Sequence, residues 1–69
     1  MIKNNLSMLM GIKRMKISEL SQLTGLSYNT IANIYYEKTK GIDYDTLNKV
    51  CWALDCNTQQ LLEYIPDEL

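Results

Sequence analysis

The chain has 69 residues, seven Lys and Arg against eight Asp and Glu, no His, and 46% apolar residues. That length predicts one domain, residues 1–69, with a small core. The composition excludes a disordered segment, and no apolar run nears the ~18–20 residues that a bilayer span requires.

The N-terminal stretch "MIKNNLSMLMGIKR" is too interrupted by polar residues for a secretion signal, so a cytoplasmic protein is expected. Apolar residues recur with helical spacing, and nothing alternates with period two long enough to make a convincing strand. The first helix is predicted from about Asn4 to Arg14, with Leu6, Leu9, Met10 and Lys13 on one face. Gly11 inside it costs about 1 kcal/mol relative to alanine and suggests a close helix contact. A short second helix runs from about Ile17 to Thr24 on the anchors Leu20 and Leu23. Gly25 can end it in the left-handed conformation, and Ser27 is a good N-cap for a third helix from about Tyr28 to Tyr36. Ile31, Ile34 and Tyr35 form the inner face of that third helix.

After the polar connection "EKTKGID", Asp43 caps a fourth helix, about Tyr44 to Leu54, with Leu47, Val50, Cys51 and Leu54 as its inner stripe. Asn57 and Gln60 have the spacing of a capping box, which opens a fifth helix at Thr58 that carries Leu61, Leu62 and Ile65 and stops at Pro66. The expected fold is therefore all-α, a compact bundle of five short helices. Cys51 and Cys56 are expected as buried free thiols. With no His and only Asp55 beside them, no metal site is expected.

The charge is unevenly placed. Residues 1–40 hold six cations against two carboxylates, net +4, and residues 41–69 hold one cation against six, net −5. Such a chain can turn a positive face to phosphates while its other half repels them.

Counted from Gly25, Leu20 lies five residues before, Ser21 four before, Ile31 six after and Ile34 nine after. This spacing suits two helices that meet at a steep angle across a three-residue turn. Ser21 is small enough for the close approach, and the three apolar side chains fill the wedge. The outer flank of the second helix is then free to enter a groove.

In these residues, "SELSQLTGLSYNTIANIYY", the chain resembles the helix-turn-helix motif of the lambdoid phage repressor and Cro family, the Xre-like regulators. The motif would cover about residues 16–36. "TLNKVCWALDCNTQQLLEYI" resembles the two helices that complete that five-helix lambda-repressor-like domain. "CWALDCNTQQLLEYIPDEL" is similar to the ends of very short bacterial members. The resemblance implies a transcriptional regulator, a repressor, whose helix at 28–36 reads double-stranded DNA in the major groove.

By that resemblance Tyr28, Asn29, Thr30 and Asn33 would face base edges. Asn can pair its donor and acceptor with adenine N6 and N7, and Tyr28 can offer a hydroxyl or cover a thymine methyl. Ser27 would hold a phosphate at the helix N-terminus, while Lys16, Gln22, Lys38 and Lys40 would fix the flanking backbone. The chain departs from the family pattern at four positions. Ile17 stands where Gln is usual and Lys16 where a capping Ser or Thr is usual, which leaves the second helix poorly started or capped at Ser18. Ser21 replaces alanine, and Glu37 replaces the glycine that commonly follows the reading helix.

One such helix covers only a few base pairs, and relatives bind pseudo-palindromic operators as homodimers with reading helices about 34 Å apart. Leu61, Leu62, Tyr64, Ile65 and Trp52 are the candidate dimer interface. A protein-binding adaptor or antitoxin on the same fold is the rival reading. No catalytic residues, cofactor, small-molecule ligand or membrane partner is expected, since no nucleophile, phosphate-loop or metal motif occurs.

Overall fold

Each helix start has an identifiable hydrogen-bonding cause in the computed structural model, which describes residues 1–67. The described elements are β1 (Ile2–Asn4), α1 (Leu6–Lys13), α2 (Ile17–Thr24), α3 (Tyr28–Tyr35), α4 (Tyr44–Leu54), α5 (Thr58–Leu61) and β2 (Leu62–Tyr64). The first amides of a helix have no partner within it, so a side-chain oxygen placed just before them stabilises the start. Asn4 Oδ1 accepts from the Leu6 amide at 2.8 Å. Ser27 Oγ accepts from Thr30 at 3.1 Å and Asp43 from Thr46 at 2.9 Å. Asn57 and Gln60 bond each other's amides at 2.8 and 2.9 Å, completing the expected box. The α2 start departs from expectation. The Glu19 carboxylate reaches back to the Lys16 amide at 3.0 Å, so this start uses neither a Ser nor a Thr.

The helix ends are equally local. Arg14, Gly25, Glu37 and Asp55 all adopt positive φ, between 51° and 73°. In this conformation the chain turns back and supplies amides to the last carbonyls. At α3 the Glu37 and Lys38 amides donate to the Ile34 and Asn33 carbonyls at 3.1 and 2.8 Å. Glu37 thus takes the conformation that glycine commonly provides, without a glycine.

The core consists of Leu6, Met10, Leu20, Ile31, Ile34, Val50, Leu54 and Leu61, all buried, with Leu9, Met15, Leu26, Tyr35 and Leu47 packed against it. Every helix contributes, so none buries its apolar stripe alone. Each such side chain stabilises the fold by about 1.5–3 kcal/mol relative to exposure.

Several expectations need correction. The fold is not purely helical: β1 and β2 pair antiparallel, with Ile2 opposite Tyr64, Lys3 opposite Glu63 and Asn4 opposite Leu62. The fifth helix therefore ends at Leu61, well before Pro66, and the first helix starts at Leu6 because Asn4 belongs to a strand. Leu23 is half exposed. Its neighbour Thr24 is buried instead, its hydroxyl donating to the Leu20 carbonyl at 2.7 Å and accepting from the Leu26 amide at 3.2 Å. A Cβ at Gly11 would meet nothing within 4 Å, so this glycine marks no close contact. Lys13 is exposed, and the two cysteines are half-buried rather than buried.

Candidate nucleic-acid interface

The α2–α3 corner is built from Ser21 and the turn residues Gly25, Leu26 and Ser27. Gly25, at φ 73°, closes α2 by donating its amide to the Ser21 carbonyl at 2.9 Å. Ser21 Oγ then donates across the turn to the Leu26 carbonyl at 2.5 Å. The hydroxyl that stands in place of alanine thus cross-braces the corner. Leu26 packs on the core, and Ser27 opens α3. Leu20, Ile31 and Ile34 fill the wedge between the helices, each buried.

With Ile31 and Ile34 turned inward, helical geometry leaves the opposite side of α3 as an outer flank. Tyr28, Asn29 and Asn33 are exposed there, Tyr28 at 54%. Thr30 is half-buried, and its hydroxyl lies 2.8 Å from Ser27 Oγ. Ser27 Oγ therefore meets the Thr30 hydroxyl as well as the Thr30 amide at the helix start. Asn33 and Thr30 share a shallow groove of about 250 Å³ with Thr39, Gly41, Asp43 and Thr46, which sets the loop after α3 alongside its outer face. Asp43 at the far wall is held below the usual carboxylate range, first by the Thr46 hydroxyl and then by the Thr46 amide. It therefore remains an anion beside the groove.

The cations are available. Among the described residues the side-chain ion pair is Lys49 to Asp45, at 2.9 Å, while Lys16, Lys38 and Lys40 are exposed without carboxylate partners. Gln22 is exposed on α2. Lys38 Nζ lies 5.9 Å from the centre of the Tyr36 ring, and that ring meets Tyr35 edge-on at 4.9 Å. Tyr35 packs on the core, whereas Tyr36 is 61% exposed, the division expected of adjacent helical residues. The Tyr36–Lys38 contact escapes sequence reading because it depends on the reversal at Glu37.

Asn4 is a second feature without a sequence signal. Its side-chain amide donates to the Ile34 carbonyl at 2.8 Å, tying β1 to the end of α3. Leu61, expected at the dimer interface, is 1% exposed and belongs to the core, which contains the end of α5. Leu62 and Ile65 are half-buried, and Trp52 and Tyr64 are each 69% exposed. Among the described residues no helix is long and apolar enough to cross a membrane.

Residues 5–67 match the model of the Cro/C1-type HTH DNA-binding domain. The chain is also similar to the Uncharacterized HTH-type transcriptional regulator YozG of Bacillus subtilis (strain 168). The two are 31% identical over 64 residues, which span 93% of this chain and 76% of that protein.

Proposed function

Because the chain belongs to the Cro/C1-type HTH DNA-binding domain family, we propose that it is a sequence-specific double-stranded DNA-binding transcriptional regulator, acting as a repressor. The observation that carries this reading is the exposed flank of α3, where Tyr28, Asn29 and Asn33 project from a helix braced at Gly25. On this reading α3 enters the major groove, and the whole chain works as one DNA-binding unit in the cytoplasm. Asn29 and Asn33 present amides that match adenine, and Tyr28 has a ring for a thymine methyl or a hydroxyl for a base edge. Thr30 reaches bases through its methyl group, since its hydroxyl is engaged with Ser27.

Ser27 and the open amides of the first α3 turn receive one phosphate, and Lys16, Gln22, Lys38 and Lys40 receive those on either side. A domain of this size covers few base pairs, so it binds a two-fold operator as a homodimer. The contacts between copies come from Trp52, Tyr64, Leu62 and Ile65. Selection of bound sequences from a random duplex pool tests these statements together. Enrichment of a pseudo-palindrome with half-sites one helical turn apart is expected. A pool that stays random, with binding indifferent to salt, removes the reading.

A further inference from the structure

Cys51 sits in the last turn of α4, and Cys56 follows two residues after its end. The left-handed Asp55, at φ 51°, folds the chain back so that the Cys56 amide donates to the Cys51 carbonyl at 3.0 Å. The residues that bracket a helix ending of this kind are turned towards one another. Here both are cysteines, so the backbone sets the two side chains next to each other at the helix end. Both are half-buried, and Cys51 lines an open depression of about 430 Å³ between α4 and the start of α5, walled by Tyr44, Leu47, Asn48, Asn57 and Thr58. Cys51 is therefore the member of the pair that borders solvent-filled space. Metal binding is the weaker use of the pair, because no group of three or more His, Cys, Asp or Glu side chains gathers among the described residues.

We propose that Cys51 and Cys56 form a reversible dithiol–disulfide pair, oxidised by a hydroperoxide to a bridge that staples the end of α4 to the chain leading into α5. In the first step the Cys51 thiolate attacks a peroxide oxygen, an S–O bond forms as the O–O bond breaks, and Cys51 is left as a sulfenic acid while one alkoxide or hydroxide leaves. In the second the Cys56 sulfur attacks the Cys51 sulfur. The S–O bond breaks, and the departing hydroxide leaves as water with the Cys56 proton. The two thiols together lose two protons and two electrons, and the hydroperoxide is reduced to an alcohol, or water, plus water. Burial, and after it the proximity of Cys51, push the Cys56 thiol up to about 11. The thiol so disfavoured as a nucleophile is the second to react, and Cys51, which lines the depression, meets the peroxide first.

The test uses the whole chain, treated with graded hydrogen peroxide and followed by intact mass. The expected product is a monomer lighter by about 2 Da that regains its mass in dithiothreitol. At the same dose C56S should accumulate a sulfenic acid that dimedone traps, while C51S stays unlabelled. The wild-type measurement needs no variant. If it gives mainly sulfinic and sulfonic products or intermolecular dimers, the pair does not function as proposed. Equal dimedone labelling of C51S and C56S would overturn the assignment of the two steps.

Discussion

Alanine at Gly25 and alanine at Gly11 should change stability in opposite directions, although neither creates a clash. At both positions a Cβ would meet nothing within 4 Å, so packing contributes little to the difference. Gly25 is held at φ 73°, where a residue with a Cβ costs about 1–2 kcal/mol. Gly11 lies within α1, where replacing glycine by alanine gains about 0.5–1 kcal/mol by reducing backbone freedom in the unfolded chain. Glu37 is the converse case: it already occupies φ 57°, so Glu37→Gly should recover about 1 kcal/mol. Urea unfolding followed by circular dichroism measures all three, provided the slope with urea stays constant. In a domain of this size, 1 kcal/mol moves the thermal midpoint by about 4–8 °C, so the signs are easily resolved. A cost-free Gly25→Ala, or a Gly11→Ala that destabilises as much as Gly25→Ala, would refute the reasoning, because backbone conformation would then not govern the corner.

Further expectations concern the DNA contacts, the α4 start and the C-terminal apolar residues. Asn33→Ala should weaken operator binding by about 1–3 kcal/mol and relax preference at one base position, read by anisotropy titrations against single-base operator variants. A uniform loss over all sequences would assign Asn33 to phosphate. Lys38→Ala should weaken binding to every duplex and lower the slope of log K against log salt by about 1; an unchanged slope takes the loop out of the footprint. The folded Asp43 carboxyl lies below its unfolded value, so its stabilisation is complete above the unfolded value and is lost as pH falls through the folded one. Asp43→Ala should therefore be less stable than the parent at neutral pH and converge with it in acid, as urea titrations at several pH values would show. Leu61→Ala should cost about 2–5 kcal/mol of stability by opening the core. Trp52→Ala should weaken dimerisation, measured by sedimentation at graded concentrations, while urea unfolding at concentrations too low for the dimer stays nearly unchanged.

The features that a few adjacent residues decide were legible in advance. Ser27, Asp43 and Asn57 cap the helices they precede because a short polar side chain there meets an open amide whatever the tertiary context. Gly25 stands out for a similar reason: a small flexible residue between two apolar periodicities leaves few alternatives. The partition of α3 was also readable, since Ile31 and Ile34 leave Asn29 and Asn33 no inward direction. The two-stranded sheet was not readable. Its strands are three residues each and lie at opposite ends of the chain, so neither shows a period and nothing nearby announces the pairing. The same pairing withdrew Leu62 and Tyr64 from the expected helix and left Leu61 as the last helical residue, buried. Leu23 and Thr24 exchanged places for another reason. A threonine whose hydroxyl bonds the preceding turn hides its polarity, so hydropathy alone ranks the pair wrongly.

The clasp between Asn4 and the Ile34 carbonyl has a kinetic corollary. A contact that joins residues thirty positions apart forms only once the docking of α1 and α3 has closed the loop between them, so the exit of α3 should be among the last parts to set. In the native state, transient melting of the short ribbon would release that carbonyl without disturbing the centre of the bundle. The amides around Glu37 and Lys38 should then exchange with solvent deuterium in step with those of Leu62 to Tyr64, while Ile31 keeps pace with the slowest protons of the molecule.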